Sequence, residues 1–394
     1  MDRPYDIVLF GASGFTGALT AAYLAGAAGP GTRWALAGRD RAKLERLGLD
    51  VPILLADATD PASVAGLARQ TRVLATTVGP YVTYGEPLVA ACAEAGTHYL
   101  DLTGEPEFVD LVYVRYGDRA ARSGAKLVHA CGFDSIPFDL GVLHTVGHLP
   151  EGVPLRVRGF LRARMSPSGG TLATMASIVG RARQAVEQGT QRRSAEPRPA
   201  GRKVSSLPGG VRYVGGWALP MPTVDPFIVG YSARLLDRYG PDFTYRQHYA
   251  VRTLPAALAT AAGAGAFAAL AQLPPVRGWI QRRVRPGDGP SAEQRARNWF
   301  KVTFLGEGGG ERVVTEVAGG DPGYGDTAKM FAESALCLAF DDLPDRAGPL
   351  TTASAMGQPL IDRLRAAGIT FTTRQAPVSR AGSTSRTSCA DKGS

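Results

Sequence analysis

The segment Asp6–Gly17, with the sequence DIVLFGASGFTG, decides the fold of this chain of 394 residues. Its first part, Asp6–Phe10, is a short apolar run typical of a central parallel strand. Three glycines follow: Gly11 permits a tight turn out of the strand, Gly14 leaves room for a pyrophosphate, and Gly17 lets a helix pack closely on the sheet. The segment therefore predicts a dinucleotide-binding βαβ unit.

The glycine turn leads into a predicted helix, Ala18–Leu24. Helix N-termini offer free N–H groups and the positive end of a dipole, so phosphate groups bind there. We therefore expect the cofactor phosphates at this turn, in contact with Gly11, Ser13, Gly14, Phe15, Thr16 and Gly17.

The end of the second strand, Trp34–Ala37, indicates which nucleotide binds. An NAD site usually places an acidic residue there, which binds the ribose 2′-OH. This chain has Gly38, which leaves room, and then Arg39, whose permanent cation suits a 2′-phosphate. The pattern predicts NADP(H); Asp40 would support NAD instead if its side chain turned towards the ribose. Asp57, at the end of the third strand, is expected near the adenine.

The candidate catalytic residues lie where ligands of open α/β sheets bind, beyond the carboxyl ends of the strands. The nicotinamide is expected beside Gly79 and Pro80. Reduction needs a donor where charge builds on the substrate, and the candidates are Tyr81, Tyr84, Asp134 and Ser135. Asp139 is a further carboxylate. The alternatives are that Asp134 and Asp139 cap helices on either side of Pro137 and that Tyr81 only walls the cofactor.

The rhythm of strands and helices predicts the domains. Alternation up to about residue 139 indicates a Rossmann-like, doubly wound parallel sheet. Beyond it, strand-like segments such as Phe300–Leu305 and Arg312–Val317 are separated by Gly- and Pro-rich connections such as Ser194–Gly210, which indicates an α+β domain. We predict an NADP-binding domain at 1–139, an α+β substrate or oligomerisation domain at 140–325, C-terminal helices at 326–374 that pack back on the first domain, and a disordered tail at 375–394.

The composition is globular, with 44% hydrophobic and 20% charged residues. The net charge of +9 is scattered, without an aromatic-interleaved basic stripe, so nucleic acid is not an expected partner. The cysteines form no C-x-x-C pair, which argues against a metal site and for a reducing compartment; they are Cys92, Cys131, Cys337 and Cys389. The N-terminus lacks the pattern of an export signal, and we expect a cytoplasmic protein.

Residues Leu254–Val276 carry no charged side chain and are numerous enough to cross a bilayer as a helix. The stretch is rich in Ala and Gly, and this weak hydrophobicity argues against a stable span. A group typical of an interfacial anchor follows it: Arg277, Trp279, Arg282, Arg283 and Arg285. We favour a packed helix; a peripheral contact of residues 254–285 with the inner face of the plasma membrane and a spanning helix are the alternatives.

Five segments carry a family resemblance: GASGFTG (Gly11–Gly17), AGR (Ala37–Arg39), TTVGPY (Thr76–Tyr81), HYLDLTGE (His98–Glu105) and GFDSIPFDLG (Gly132–Gly141). They resemble the saccharopine dehydrogenase-like oxidoreductase family. Two later segments, GGDPGYGDTAKM (Gly319–Met330) and AMGQPLIDRLRAAGITF (Ala355–Phe371), resemble one branch of it, the trans-acting enoyl reductases of bacterial polyketide-lipid synthesis. The match follows nearly the whole chain in order and spacing and is weakest across about residues 184–290.

The resemblance implies an NADP(H)-dependent oxidoreductase that reduces a carbon–carbon double bond of a carrier-bound enoyl thioester in lipid or glycolipid synthesis. It implies an acyl carrier protein or a polyketide synthase as partner. A carrier is usually acidic, so basic surface would steer it. We expect that surface at Arg181, Arg183, Arg192, Arg193, Arg202 and Lys203. We also expect a homo-oligomer.

Two alternatives to this function stay open. A saccharopine-type dehydrogenase, acting on a C–N bond, would need cationic and carboxylate groups in the second domain to hold a zwitterion. A non-catalytic protein that binds NADP(H) at a membrane or lipid surface would bind the cofactor and turn over nothing.

Overall fold

The computed structural model describes residues 3–165, 181–196, 201–213, 216–273, 275–276, 278 and 289–375. In its first part, strands alternate with helices. The strands are β1 (Tyr5–Phe10), β2 (Trp34–Gly38), β3 (Ile53–Leu55), β4 (Thr71–Thr76), β5 (His98–Leu100) and β6 (Lys126–Val128). The helices are α1 (Phe15–Ala27), α2 (Arg41–Glu45), α3 (Pro61–Gln70), α4 (Tyr81–Ala95), α5 (Pro106–Ser123) and α6 (Ile136–Val146).

The second part is richer in long strands. These are β7 (Leu155–Arg164), β8 (Lys203–Pro208), β9 (Arg212–Tyr213), β10 (Trp217–Pro220), β11 (Asp242–Val251), β12 (Trp299–Gly308) and β13 (Glu311–Gly319). Its helices are α7 (Ala182–Ala195), α8 (Asp225–Leu235), α9 (Leu254–Ala271) and α10 (Ala292–Ala296). The C-terminal part adds α11 (Gly325–Phe340), β14 (Gly348–Leu350), α12 (Thr352–Ala355), α13 (Gly357–Ala366) and β15 (Thr370–Gln375).

The first sheet confirms the prediction of a doubly wound parallel sheet. Its order is β14-β6-β5-β4-β1-β2-β3, and every neighbouring pair is parallel. Strand β1 lies between β2 and β4 and is buried on both faces, with Ile7 and Leu9 in one core cluster and Val8 and Phe10 in the other. Helices cover both faces, so a central strand of this kind needs an uninterrupted apolar run.

The second sheet is mixed, with the order β15-β13-β12-β7-β11-β10-β9, and β8 pairs with β11 beside this path. The sequence predicts a Gly- and Pro-rich connection at Ser194–Gly210, but part of this segment is regular structure. Strand β8 lies inside it, and the end of α7 overlaps it. Strand β8 has one neighbour and α7 is polar, so neither shows the apolar periodicity by which such elements are recognised. The predicted tail lies outside the described residues, except that Gln375 ends β15.

The C-terminal part contributes to both sheets. Strand β14 extends the first sheet by pairing with β6, and β15 extends the second by pairing with β13. Helix α11 packs on α1 and on β1, β4 and β5. Two contacts fix it there: the Tyr23 hydroxyl donates to the Glu333 carboxylate over 2.7 Å, and Arg363 bridges Glu333 and Asp341. Residues 325–375 therefore bind the two domains together.

Helix α6 lies between the two domains. Its side chains are almost all buried, and Gly141 sits so close to the second sheet that a Cβ there would lie 2.4 Å from the ring of Phe304. Asp139 accepts hydrogen bonds from Ser232, from the Thr352 hydroxyl over 2.7 Å and from the Ala353 amide over 2.8 Å. Burial raises the pKa of Asp139 to about 6. This carboxylate therefore joins α6, α8 and α12. Asp139 lies inside α6, so the alternative that it caps a helix beside Pro137 is wrong.

Helix α9 is exposed, and the packed helix favoured from the sequence is wrong. Within the described residues it is the one helix long and apolar enough to cross a membrane, with a mean hydropathy of 1.6 and 11% of its residues buried. Only Ala257 and Ala271 are buried, whereas Leu258 and Leu270 are 62% and 52% exposed. The predicted anchor that follows lies outside the described residues: Arg277, Trp279, Arg282, Arg283 and Arg285.

Candidate active site

The glycine turn brings β1 and α1 into backbone contact. Gly11 has φ +88°, in the left-handed region that favours glycine, and its N–H donates to the Ala37 carbonyl on β2 over 2.9 Å. A Cβ on Gly17 would lie 2.3 Å from the Gly11 carbonyl oxygen and 2.8 Å from the Ala12 Cα. Neither position accepts a side chain, as the spacing of the glycines predicts.

Helix α1 presents unpaired backbone donors at its start. Gly14 is the N-cap residue and supplies no side-chain cap. The first helical hydrogen bond runs from the Ala18 amide to the Gly14 carbonyl over 2.8 Å, so the amides of Phe15, Thr16 and Gly17 precede it. Ser13 is exposed beside them. Bare amides and the positive end of the helix dipole form a site for phosphate.

The second domain reaches over this turn. The Phe15 ring meets the Tyr324 ring edge to face, with their centroids 4.9 Å apart. The Arg295 guanidinium lies 5.5 Å from the same ring, and Gly289 is so near that a Cβ there would fall 2.3 Å from it. The first turn of α11 also contacts the loop after β6, because the Phe133 amide donates to the Thr327 hydroxyl over 3.1 Å. Residues distant in sequence therefore cover the glycine turn at which the cofactor is expected.

The end of β2 favours a 2′-phosphate. Arg39 is exposed, and it makes no hydrogen bond or ion pair with the described residues. Asp40, the residue that would support NAD, is the N-cap of α2: its carboxylate accepts from the Lys43 amide over 3.1 Å and lies 3.7 Å from the Lys43 ammonium. Asp40 is therefore occupied by its own helix, and Arg39 is the side chain available to the nucleotide.

Asp57 orders the neighbouring turn. Its carboxylate accepts from the Thr59 amide over 2.9 Å and from the Thr59 hydroxyl over 2.8 Å. These hydrogen bonds, aided by the charge of Arg39, lower the pKa of Asp57. Asp57 stands at the carboxyl edge of the sheet beside Arg39, and the adenine contact expected of it stays a prediction.

The site residues predicted at the end of β4 differ in their exposure to solvent. Gly79 and Pro80 are exposed at the sheet edge, where the nicotinamide is expected. Tyr81 is 7% exposed, and its hydroxyl donates to the Thr76 carbonyl over 3.3 Å and accepts from the Leu102 amide over 3.2 Å. Burial raises the pKa of Tyr81 well above its usual value. The Tyr81 hydroxyl thus joins the ends of β4 and β5 inside the protein and does not open into the cleft.

Two further hydroxyl candidates differ in access. Tyr84 lies in the first turn of α4, half-buried, and its hydroxyl makes no hydrogen bond with the described residues. Ser135 is fully buried as the N-cap of α6, and its hydroxyl likewise has no partner in the described part of the chain. Tyr84 therefore stays a candidate contact for substrate, whereas Ser135 is shielded.

Asp134 lies on the loop between β6 and α6, close enough to Asp225 of the second domain for its charge to act on that residue; the junction of the domains at these two carboxyl groups is called the cleft below. Asp134 is solvent-exposed, and its Oδ2 lies 3.6 Å from where a Cβ of Gly104 would be. The ends of β5 and β6 therefore meet at Asp134. The protein atoms around the cleft desolvate this carboxyl and raise its pKa.

A second carboxyl group approaches Asp134 from the second domain. Asp225, the first residue of α8, is 1% exposed. Its Oδ2 accepts from Thr223 and from the Gln247 amide group, the latter over 2.9 Å, whereas its Oδ1 has no partner in the described residues. Burial, and then the charge of Asp134, raise the pKa of Asp225 to about 8 against the pull of these hydrogen bonds. Asp225 is therefore largely a neutral acid at pH 7.

The sequence analysis missed Asp225, Tyr324 and Thr327 as parts of the site. The dipeptide Asp225-Pro226 resembles an ordinary helix start, so nothing local indicates that it faces Asp134. The GDPGYGDT segment that holds the other two is glycine-rich, which was the one available sign of a loop near a ligand. The roles of the three residues depend on contacts with residues distant in sequence, which are Asp134, Phe15 and Phe133 respectively.

A buried framework supports the cleft from below. Asp101 accepts from the Thr103 and Ala130 amides, each over 3.0 Å, and lies 2.6 Å from Nδ1 of His129. Glu105 accepts from the Val82 amide at the start of α4 over 2.8 Å. These contacts order the loops that carry Asp134 and Gly79. No group of three or more metal-binding side chains occurs in the described residues.

The prediction of a basic surface around residues 181–203 is wrong for Arg181, Arg192 and Arg202, which make contacts within the protein. Arg181 pairs with Glu107 over 2.7 Å and with Glu105 over 3.4 Å. Arg192 is 2% exposed; it pairs with Asp110 over 3.0 Å and lies 4.0 Å from the ring of Tyr231. Arg202 donates to the carbonyls that end α8. Arg193 and Lys203 are exposed, and the side chain of Arg183 lies outside the described residues.

Comparison with known proteins agrees with this geometry. Residues 7–130 match the family model described as the saccharopine dehydrogenase NADP-binding domain, and the cofactor is NADP(H). The saccharopine dehydrogenase (L-Glu forming) of Saccharomyces cerevisiae shares the fold, with a TM-score of 0.58 at 12% identity over 94% of this chain and all of that chain.

Full-length relatives come from mycobacteria. A Mycobacterium tuberculosis protein bearing the name trans-acting enoyl reductase is 40% identical over 413 residues, covering 94% of this chain and 98% of its own. The trans-acting enoyl reductase of Mycobacterium ulcerans is 37% identical over 409 residues, covering 93% and 97%. The chain therefore belongs to the trans-acting enoyl reductase family of saccharopine dehydrogenase-like, NADP-dependent oxidoreductases.

Proposed function

We propose that this protein uses NADPH to reduce the carbon–carbon double bond of an enoyl thioester presented in trans on an acyl carrier protein during lipid synthesis. The names of its relatives support this activity. The observation that carries it is that Asp134, which is exposed to solvent, lies near the neutral acid Asp225 of the second domain. Reduction of an enoyl group needs both a hydride donor and a proton donor.

The residues of the first domain fit the cofactor. The bare amides of Phe15–Gly17 suit the pyrophosphate, and Arg39 suits the 2′-phosphate. The exposed edge at Gly79 and Pro80 leaves room for the nicotinamide. NADPH, when bound, supplies the hydride that the β-carbon of the enoyl group receives.

The protein then supplies a proton to the α-carbon. A carboxyl group can act as a general acid towards a carbon that gains negative charge, and a raised pKa favours its protonated form. Burial raises the pKa of Asp134, which lies at the cleft, so we assign it the proton transfer. Asp225 lies behind it, and its neutral state limits the negative charge next to the developing enolate. Tyr84, in the first turn of α4, is the hydroxyl that we propose to contact the substrate.

The first test is turnover. Purified protein with NADPH and an enoyl-loaded acyl carrier protein is expected to consume NADPH, followed by the absorbance of the reduced nicotinamide. Asp134→Asn should lower kcat by about a hundredfold, the usual effect of losing a general acid. Asp118→Asn, which changes an exposed carboxylate on α5, should match the wild type.

Two outcomes would contradict the proposed reaction. Reduction of NADP⁺ with saccharopine, and no consumption of the enoyl carrier, would assign the protein to C–N chemistry. Tight binding of NADPH without turnover of either compound would favour the non-catalytic alternative.

The second test concerns Arg39. Arg39→Asp should raise the Kd for NADPH by at least about tenfold, because a charge-assisted hydrogen bond to phosphate contributes about 1.5–3 kcal/mol. The Kd for NADH should change far less. Fluorescence titration with both nucleotides measures the effect, and Arg69→Asp on α3 controls for net charge. Equal weakening of both nucleotides would refute the role of Arg39.

The third test concerns the protonation of Asp225. The folded state retains this proton up to about pH 8, whereas an unfolded carboxyl loses it near its usual pKa of about 3.9. Stability contributed by Asp225 is therefore complete at low pH and is lost as the pH rises through about 8. Melting temperature should fall from about pH 4 to about pH 8 and level off above that, and Asp225→Asn should flatten this slope. An unchanged slope in Asp225→Asn would show that the group is already ionised.

We also propose that α9 contacts the inner face of the plasma membrane peripherally. The helix has no charged residue, 18 residues of mean hydropathy 1.6, and exposed leucines at Leu254, Leu258 and Leu270. An exposed apolar surface of this extent marks an interaction site. A reductase of lipid intermediates would act near such a surface.

The fourth test is vesicle binding. Wild-type protein should sediment with vesicles of phosphatidylglycerol and phosphatidylethanolamine. Leu258→Glu with Leu270→Glu should weaken binding by at least about tenfold, since charges are costly in the bilayer. The control pair, Leu55→Glu with Val114→Glu, alters exposed apolar residues of the first domain. Equal behaviour of the two pairs would exclude α9 as the contact.

A further inference from the structure

The second sheet has an outer face that no part of the candidate active site uses. Strand β7 alternates strictly: Leu155, Val157 and Leu161 enter the core, whereas Arg156 and Arg158 point the other way. The neighbouring strands follow the same alternation. Helices α6 and α8 pack on the inner side, and the side chains of the outer face are exposed or half-exposed.

The outer face is strongly basic. Among the described residues it carries ten cationic side chains, against the three carboxylates Asp242, Glu307 and Glu316. The cations are Arg156, Arg158, Arg162, Arg164, Lys203, Arg212, Arg246, Lys301, Arg312 and Arg374. The register places like charges side by side, with Arg158 opposite Arg246 and Arg162 opposite Lys301. This face holds a large share of the excess positive charge that the sequence distributes without visible clustering.

Some of these charges are neutralised within the sheet, but several are not. Arg158 pairs with Glu307 over 3.0 Å, and Lys301 pairs with Glu316 over 2.8 Å. Arg156, Arg162 and Arg164 form no ion pair with the described residues. Unpaired cations on a rigid strand are available to a partner.

A pocket, called the basin below, lies near one end of this face. The loop Gly209–Arg212 folds over the sheet and encloses the basin, which is lined by Arg156, Arg158, Arg212, Arg246, His248 and Glu307. Gly209 packs on the His248 ring so closely that a Cβ would lie 1.9 Å from its Nε2. The basin is therefore a fixed feature of the sheet that concentrates positive potential.

We propose that the outer face of the second sheet is the docking site for the acidic surface of the carrier protein that presents the substrate. The inference rests on the proposed function. A second copy of the chain fits poorly, because a two-fold interface would set this basic patch against itself. The patch follows the whole length of β7, which is more than a small anion would contact and suits a folded acidic partner.

The physical effect expected of this face is on encounter and binding. Complementary charge raises the association rate and fixes the orientation of the partner, and it is screened by salt. The chemical step occurs in the cleft and does not depend on these arginines. Charge reversal on the face should therefore change KM for a carrier-bound substrate and leave kcat alone.

The experiment compares two forms of one acyl group. Arg156→Glu with Arg162→Glu reverses two unpaired charges, and Arg69→Glu with Arg122→Glu makes the same change on helices of the first domain. With the enoyl group on the carrier protein at low salt, the first pair should raise KM by about tenfold or more, whereas the control pair should not. With the same group on N-acetylcysteamine, all proteins should be equal. Added salt should raise the wild-type KM and remove the difference.

Every other outcome overturns the docking proposal. An unchanged KM for the carrier substrate removes the outer face as the site while the small thioester still reports the reaction. Loss of reduction with both thioesters in the wild type refutes the proposed function itself. A changed sedimentation coefficient in Arg156→Glu with Arg162→Glu, and unchanged carrier kinetics, assigns the face to a second copy. Binding of single-stranded DNA or anionic vesicles through these arginines, without binding of the carrier, assigns it to another partner.

Discussion

The contact between the first turn of α1 and the glycine turn after β1 is the constraint on which the rest depends. A Cβ on Gly17 would lie only 2.3 Å from the Gly11 carbonyl oxygen. The absence of a side chain at Gly17 therefore allows α1 to begin directly against the turn. That placement aims the free amides of α1 at the sheet edge. It also sets Phe15 where Tyr324 and Arg295 of the second domain can cover it. The same close contact between Gly17 and Gly11 therefore positions both the cofactor site and the contact between the domains.

Much of the first domain was predictable because its signals are local. The glycine spacing, the buried run of β1 and the Gly38-Arg39 pair each act within a few residues of where they stand. The second domain gave weaker signals. Asp225 becomes part of the cleft only through packing against the end of β6, and Arg192 is buried only because Asp110, Tyr113 and Tyr231 surround it. Sequence shows the charge of an arginine but not its exposure.

Two sets of buried carboxyl groups in this protein differ in their partners. Those beneath the first domain meet cations: Asp110 is paired with Arg192, and Glu107 with Arg181. Those between the domains, Asp139 and Asp225, are held by hydroxyl and amide donors, without an ion pair among the described residues. Uncompensated burial favours the protonated form. The carboxyl groups between the domains can therefore stay protonated, and the reduction of a double bond requires a proton as well as a hydride.

The two C-terminal strands have a consequence for how the chain is made. The first sheet gains its edge strand β14 and the helix α11 that covers it only from residues 325–350, and the second sheet gains β15 later still. During synthesis the ribosome releases the complete cofactor-binding sequence long before these pieces exist. Until then the edge of β6 and the apolar side of β1 and β4 stay uncovered. The nascent chain therefore carries an incomplete first sheet until residue 350 and an incomplete second sheet until residue 375 has been synthesised.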